Sequence, residues 1–498
     1  MKFRETAIVS GGLLVQQATV FATGVLIARQ LGAANFGTLG TLKSLASVLV
    51  IVTPLGLDLA LLKHATFYHE RPDELRTLSR TLRLLVGGQN LLLLGLVVVW
   101  LGGALQDVYR DIPDFSRLCA ITMAGIVFAT DVQISGALYR VYDRVITFAL
   151  IVNYSQPILR LAATALVLLA GGGLLGAIWV NSALFLYAFA VIGLNDRRRG
   201  SVLPLRDIAH KPMPLRDVAH KVGGVLSESL WMAMSLLVYQ SIRLVDILIL
   251  AALTTTQITG AYTAMSSVAQ LIQIYPIAIS QTLGPKIALA YKQGDLDEIK
   301  LELQAYLRRA SMLGGYLFGG VAVFGADLDL VFGHGFSFSW PLALLLASGW
   351  YVSATLAPFG YVLSMTGRHR QEVAILAAGA ALLVVCLLLL IPPFAAVGAA
   401  LAVAITFAAV NAARCVYVIR ILTRNPLRVT DVLPPLYFLA AALTARGAGG
   451  WVSARSLPAL VVECVAYSLL AGGAYVALLA STAERQTIRS LARAGRSP

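Results

Sequence analysis

The chain reads as a series of apolar runs, each long enough to cross a bilayer, separated by polar breaks. A helical span needs about 20 apolar residues. Runs of that size predict helices near 7–30, 36–62, 84–106, 115–139, 146–170, 173–194, 224–252, 257–284, 307–332, 339–366, 372–391, 394–420, 432–450 and 457–481. The expected fold is therefore an all-α polytopic membrane protein of about 14 transmembrane helices. Several connections are only a few residues long: Gly171 to Leu174, Thr254 to Gln257, and Pro392 to Ala395. No folded domain fits on that side.

Charge placement predicts the orientation. Lys63, Arg71, Arg76, Arg80 and Arg83 follow the second run, and Arg140 with Arg144 follows the fourth. A cluster from Arg197 to Lys221 follows the sixth, and Lys286 through Arg309 follow the eighth. Arg368 and Arg370 come after the tenth, Arg420 to Arg428 after the twelfth, and Arg485 to Arg496 form the tail. The opposite connections offer only Arg29, Arg110, Arg446 and Arg455 as clear cases. Cytoplasmic loops carry the excess of Lys and Arg, so both termini are expected in the cytoplasm.

Composition supports the membrane reading: 58% of residues are hydrophobic, 13% are charged, and the formal net charge is +14. In such a chain the positive charge faces anionic lipid, and no aromatic-interleaved basic stretch points to nucleic acid. Cys119, Cys386, Cys415 and Cys464 have no metal-ligand or disulfide spacing. No paired carboxylates, phosphate loop or nucleophile triad stands out. The chain is expected not to be an enzyme, with no catalytic residues, cofactor or metal.

Two stretches repeat. Phe36-Gly37-Thr38-Leu39-Gly40, Pro54, Lys63 and Pro72-Asp73-Glu74-Leu75-Arg76 are echoed about 223 residues later. The echo is Thr259-Gly260-Ala261-Tyr262, Pro276, Lys286 and Leu296-Asp297-Glu298-Ile299-Lys300. An offset of six helices is even, so both copies run the same way through the membrane, a recurrent transporter plan. The expected organisation is an N-lobe at 1–194, a cytoplasmic linker at 195–222, a C-lobe at 223–425, and a helix pair with a basic tail at 426–498. The linker holds a ten-residue tandem repeat, Pro204 to Lys211 and Pro214 to Lys221, read as a lengthened spacer. Residues Asp297 to Arg309 suggest a helix lying on the inner leaflet.

Ionisable residues inside spans are costly and usually face a cavity or a partner. Lys43, Asp58, Asp131, Arg160, Glu228, Arg243, Asp246 and Arg414 are the cases here. Arg160 falls near mid-membrane with no acid within a turn of it, while Arg243 and Asp246 share a face and can neutralise each other. Asn153, Gln240 and Gln273 add amides suited to a sugar. The expected cavity residues are Arg160, Arg243, Lys43, Arg29, Asn153, Gln240 and Gln273. Asp131 and Asp246 are the candidates for ion coupling.

Arg29-Gln30-Leu31-Gly32-Ala33-Ala34-Asn35-Phe36-Gly37 resembles the first-loop signature of the polysaccharide transporters. These are the oligosaccharide flippase branch of the superfamily that also holds drug/cation antiporters and lipid II flippases. Gly260-Ala261-Tyr262, Ser280-Gln281, Pro285-Lys286 and Tyr291-Lys292-Gln293-Gly294-Asp295 are similar to its eighth-helix block. Thr366-Gly367-Arg368 and Val397-Gly398-Ala399-Ala400 resemble its later marks, so the likeness covers most of residues 1–425. The resemblance implies two six-helix lobes in a V, with a C-terminal helix pair, in a bacterial inner membrane. Its implied cargo is a polyprenyl-diphosphate-linked glycan, moved from the cytoplasmic to the periplasmic leaflet by alternating access. Membrane lipids, H+ or Na+, and polysaccharide assembly proteins are the other expected partners. The competing reading is an ion-coupled drug/cation antiporter of the same fold, for which an acidic cavity is expected.

Overall fold

A computed structural model describes residues 3–52, most of 83–96, 102–141, 144–199, most of 238–333, 335–422, 425–427, 433–449 and 456–474. Among these, every regular element is a helix. The main ones are α1 (Phe3–Val52), α2 (Gly102–Val108), α3 (Phe115–Val141), α4 (Val145–Leu169), α5 (Gly173–Arg199), α6 (Thr256–Ala269), α7 (Ile274–Gln293), α8 (Leu296–Phe324), α9 (Trp340–Met365), α10 (His369–Leu422), α11 (Leu433–Gly449) and α12 (Leu457–Ala474). Six helices of the described residues are long and apolar enough to cross a membrane. Leu166, Leu169, Leu389 and Leu469 are 69%, 80%, 68% and 71% exposed, a surface that lipid covers at no cost and water does not. Asp58, Glu228, the 72–76 turn and the tandem repeat lie outside the described residues.

Two helices are too long for one crossing. At 1.5 Å per residue, the 50 residues of α1 and the 54 of α10 would each overshoot a bilayer about twofold. Both are broken midway. In α1 the break is Gly32, whose φ of 78° a glycine adopts without a Cβ clash. In α10 it is Ala395, at φ 47° and ψ −125°, just after Pro392 and Pro393. The short connections at 171–174, 254–257 and 392–395 are thus tight turns, with Gly171 and Gly173 also at positive φ.

The helix at Leu296 differs from expectation. It is not a separate helix but the first turns of one 29-residue helix, α8, that runs on to Phe324. The Asp295 carboxylate caps its start by accepting from the Glu298 amide at 2.8 Å, after Gly294 ends α7 in the left-handed region. Of the apolar positions in this stretch, Ile299, Leu303 and Leu307 are fully buried and pack on protein, while Leu301 is left exposed.

Two compact units emerge. One comprises the described parts of 1–267, 332–337 and 369–410, and the other those of 268–331, 338–368 and 411–498. In the second, α8 and α11 come together at Gly319, where an added methyl would sit 2.7 Å from the Phe438 carbonyl oxygen. Arg446 on α11 pairs with buried Asp327 just beyond α8.

In the first unit, the second half of α1 crosses α6 at backbone distance. A methyl on Gly37 would lie 2.0 Å from the Thr256 carbonyl oxygen, and one on Gly260 would lie 1.9 Å from that of Ala33. A methyl on Gly40 would meet the Thr263 side chain at 2.8 Å.

Candidate functional site

The candidate site is built on α4, within the first unit. Pro157 has no amide to give the Asn153 carbonyl, so regular α-helical bonding cannot run through this turn. The chain widens there into a π-helix at Leu150–Ser155, a form that often marks functional sites. The loosened turn is tied down from α5: Gln156 Nε2 donates to the Leu184 carbonyl at 3.1 Å, and Ser155 Oγ lies 3.2 Å from the Tyr187 hydroxyl.

The bulge presses Asn153 and Tyr154 against the start of α1. The Tyr154 hydroxyl donates to the Ile8 carbonyl at 2.9 Å. A methyl on Gly12 would come within 2.7 Å of the Tyr154 ring and 3.0 Å of the Asn153 Cβ. Only a glycine admits the bulge this closely.

Arg160 follows one turn later. Its guanidinium carbon sits 5.6 Å from the centroid of the Phe185 ring on α5, a cation–π contact. Its Nε is buried and has no hydrogen-bond partner among the described residues. Lys43, partly buried in the second half of α1, stands near enough for the two positive charges to act on each other. Neither forms an ion pair among the described residues. Two partly buried cations repel, and among the described residues neither has the counter-charge that buried charges normally have. An anion close to both would relieve this repulsion.

The other expected site residues are distributed as follows. Asn153 belongs to the bulge, one turn or two before Arg160. Arg29 is exposed at the far end of the first half of α1, beside Gly333 and across the Gly32 kink from Lys43. Gln240 and Arg243 are partly buried on the helix preceding α6, and Arg243 is already engaged by neighbours. Gln273 belongs to the second unit, in a one-turn 3-10 helix between α6 and α7, where its Nε2 reaches the Trp350 carbonyl at 3.4 Å.

Both coupling candidates are held by partners. Asp246 accepts from the Tyr262 hydroxyl at 2.5 Å and from the Ile247 amide at 2.8 Å. Asp131 lies 3.6 Å from Arg83 Nε, while Arg83 Nη2 donates to Ser135 Oγ at 2.7 Å. Arg83 is thus not a free loop cation but a link between its own helix and α3. Sequence reading missed Tyr154, Phe185 and Gly12 as parts of the site. The signals were present in the glycine pair Gly11-Gly12 and in Pro157 inside an apolar run.

A family model described as polysaccharide biosynthesis protein matches residues 3–289. Among curated proteins none matches the chain. Solved structures share the fold at low identity. A lipid II flippase, MurJ, in an inward closed conformation is 13% identical with a TM-score of 0.68, covering 95% of this chain and 99% of its own. An inward-facing multidrug resistance MATE family transporter of the MOP superfamily is 12% identical at 0.66, covering 84% and 98%. A eukaryotic MATE transporter is 15% identical at 0.60, covering 87% and 98%.

Proposed function

The chain belongs to the polysaccharide biosynthesis protein family, and from that premise we propose that it is a flippase. Its cargo is a polyprenyl-diphosphate-linked oligosaccharide, carried from the cytoplasmic to the periplasmic leaflet by alternating access. The observation that carries this reading is the pairing of Lys43 with Arg160, two cations in a membrane-embedded unit with no acid joined to either among the described residues. A diphosphate cannot cross hydrocarbon bare, because losing its water costs many kcal/mol. Between two cations its charge is compensated while the polyprenyl tail stays in lipid. Asn153 and the Tyr187 hydroxyl stand on the same helices as Arg160 and Phe185, with polar groups suited to sugar.

The architecture that goes with this reading has an N-lobe at 1–194 and a C-lobe at 223–425, related as parallel repeats. The linker at 195–222 is cytoplasmic, as are both termini, and 426–498 forms an appended helix pair and tail. The crossing of α1 and α6 supports the repeat: Ala33 and Thr256, and Gly37 and Gly260, are each 223 positions apart, and each glycine meets the other copy's carbonyl. Such reciprocity is the mark of a two-fold relation. An H+ or Na+ gradient supplies the drive, with buried Asp246 or partly buried Asp131 the carboxylate that takes the ion.

The test is translocation of a fluorescent polyprenyl-diphosphate oligosaccharide in proteoliposomes, wild type against Arg160→Ala. The variant should lose most of the transport while staying folded. Export of cationic dyes that is indifferent to Arg160→Ala would replace this reading with the antiporter one.

A further inference from the structure

The crossing between α1 and α6 lies beside two other contacts at the same end of the first unit. The Thr256 amide, at the start of α6, donates to the Asp111 carboxylate at 2.5 Å. Asp111 stands in the turn between α2 and α3, 145 positions away in sequence. The neighbouring Gln257 Nε2 donates to the Gly335 carbonyl at 3.2 Å. From the same 332–337 stretch, Phe332 and Phe336 pack edge-on to Phe36 at 6.2 and 6.0 Å between ring centroids. The start of α6 is thus held by a carboxylate, by a loop and by the glycine crossing, all within one unit.

The crossing itself has an unusual construction. Positions 33, 37 and 40 of α1 and 256, 260 and 263 of α6 are register mates, and all six side chains are small: Ala, Gly, Gly, Thr, Gly and Thr. Small residues at this spacing let helix backbones meet in a membrane. The helix breaks match as well, since Gly32 and Thr255 are again 223 positions apart. No side chain stands between the helices at Gly37 and Gly260, so the seal is backbone against backbone. A contact of this kind is either fully made or lost, because a shift of about 1 Å forfeits much of the dispersion well.

We propose that the Gly37–Gly260 crossing and the Asp111–Thr256 cap form the outer gate of the carrier, closed in the state described here. In the transport cycle the two helices part at the glycines and Asp111 releases the start of α6. The gate rests on the alternating-access reading given above but not on the identity of the cargo. Asp111 acts as a latch that holds the closed state and touches no substrate.

The test reads access alone, without cargo. In full-length protein with Cys119, Cys386, Cys415 and Cys464 replaced by alanine, the reporter is Thr41→Cys, one turn beyond Gly37 and fully buried. A membrane-impermeant maleimide is added to the outer face of right-side-out vesicles. With the gate intact, labelling should be slow. Gly37→Ala, Gly260→Ala and Asp111→Ala should each speed it by about tenfold or more, the shift that an overpacked contact imposes on a two-state equilibrium. Asp111→Asn, which keeps an acceptor, should stay closer to the parent. Gly87→Ala, where an added methyl meets nothing within 4 Å among the described residues, is the control and should change nothing.

If the central alanine variants fail to reach the membrane, Gly40→Ala is the milder wedge, because the atoms nearest its methyl belong to the Thr263 side chain and not to backbone. Its faster labelling should return to the parental rate when Thr263→Ala is added. Equal labelling in parent and variants, labelling from the cytoplasmic face only, or no rescue by Thr263→Ala would each overturn the gate. A failure of glycolipid transport with normal gating would instead count against the cargo assignment alone.

Discussion

Arg160 rests over the ring of Phe185 at 5.6 Å while its Nε, buried, finds no hydrogen-bond acceptor among the described residues. The ring holds the guanidinium in place without neutralising it. A partly buried cation kept in this state is a stability cost, and natural sequences retain such costs where function requires them.

Arg160→Met should therefore raise stability and destroy transport together. Replacing a partly buried charge that has no counter-charge with a hydrophobic residue of similar reach is worth about 1 kcal/mol. The thermal unfolding midpoint in detergent, measured beside glycolipid flipping, checks both halves. A loss of stability would mean that the guanidinium had a partner after all.

Lys43→Glu should supply that partner internally. The new carboxylate lies within electrostatic reach of Arg160, the like-charge repulsion becomes attraction, and the anion site is neutralised from within. We expect a folded protein of equal or greater stability with transport reduced at least about tenfold, a loss of roughly 1.4 kcal/mol or more in cargo affinity. Lys43→Arg, which keeps the charge, should retain most activity. Equilibrium binding of inorganic diphosphate to purified protein provides a second measurement.

The Arg83–Asp131 pair invites a double-mutant cycle. Arg83→Ala alone leaves the carboxylate without its cation and Ser135 without its donor. Each single change should cost more than half of the double change, with a coupling of about 1–2 kcal/mol. Additive effects in chemical or thermal unfolding would show that the contact contributes little.

Ala395 occupies a positive φ that an L side chain rarely adopts. Ala395→Gly should stabilise the turn inside α10 by about 1 kcal/mol, and Ala395→Val should destabilise by more. Calorimetry of the two variants checks the sign. No change in either direction would contradict a strained turn.

Much of the fold could be read from residue order because the bilayer imposes strict lengths. The runs predicted at 115–139, 146–170 and 339–366 became Phe115–Val141, Val145–Leu169 and Trp340–Met365. Even the run at 432–450, with Pro434 and Pro435 near its start, became Leu433–Gly449. The inner-leaflet helix at 297–309 was misread for a local reason. Its amphipathic spacing fits either a lipid surface or a protein groove, and the periodicity of one helix cannot say which partner buries Leu303.

Sequence alone determined that this is a helical membrane protein, where its chain turns, and that Arg160 is an expensive residue to keep. Those properties follow from transfer free energy and backbone stereochemistry, which act on each segment separately. Only tertiary structure decided that Phe185 lies under Arg160, that Tyr262 and not Arg243 supplies the short hydrogen bond to Asp246, and that Gly37 meets Gly260. Contacts between helices depend on which faces are turned toward each other, and hydropathy is nearly blind to rotation when every face of a helix is apolar.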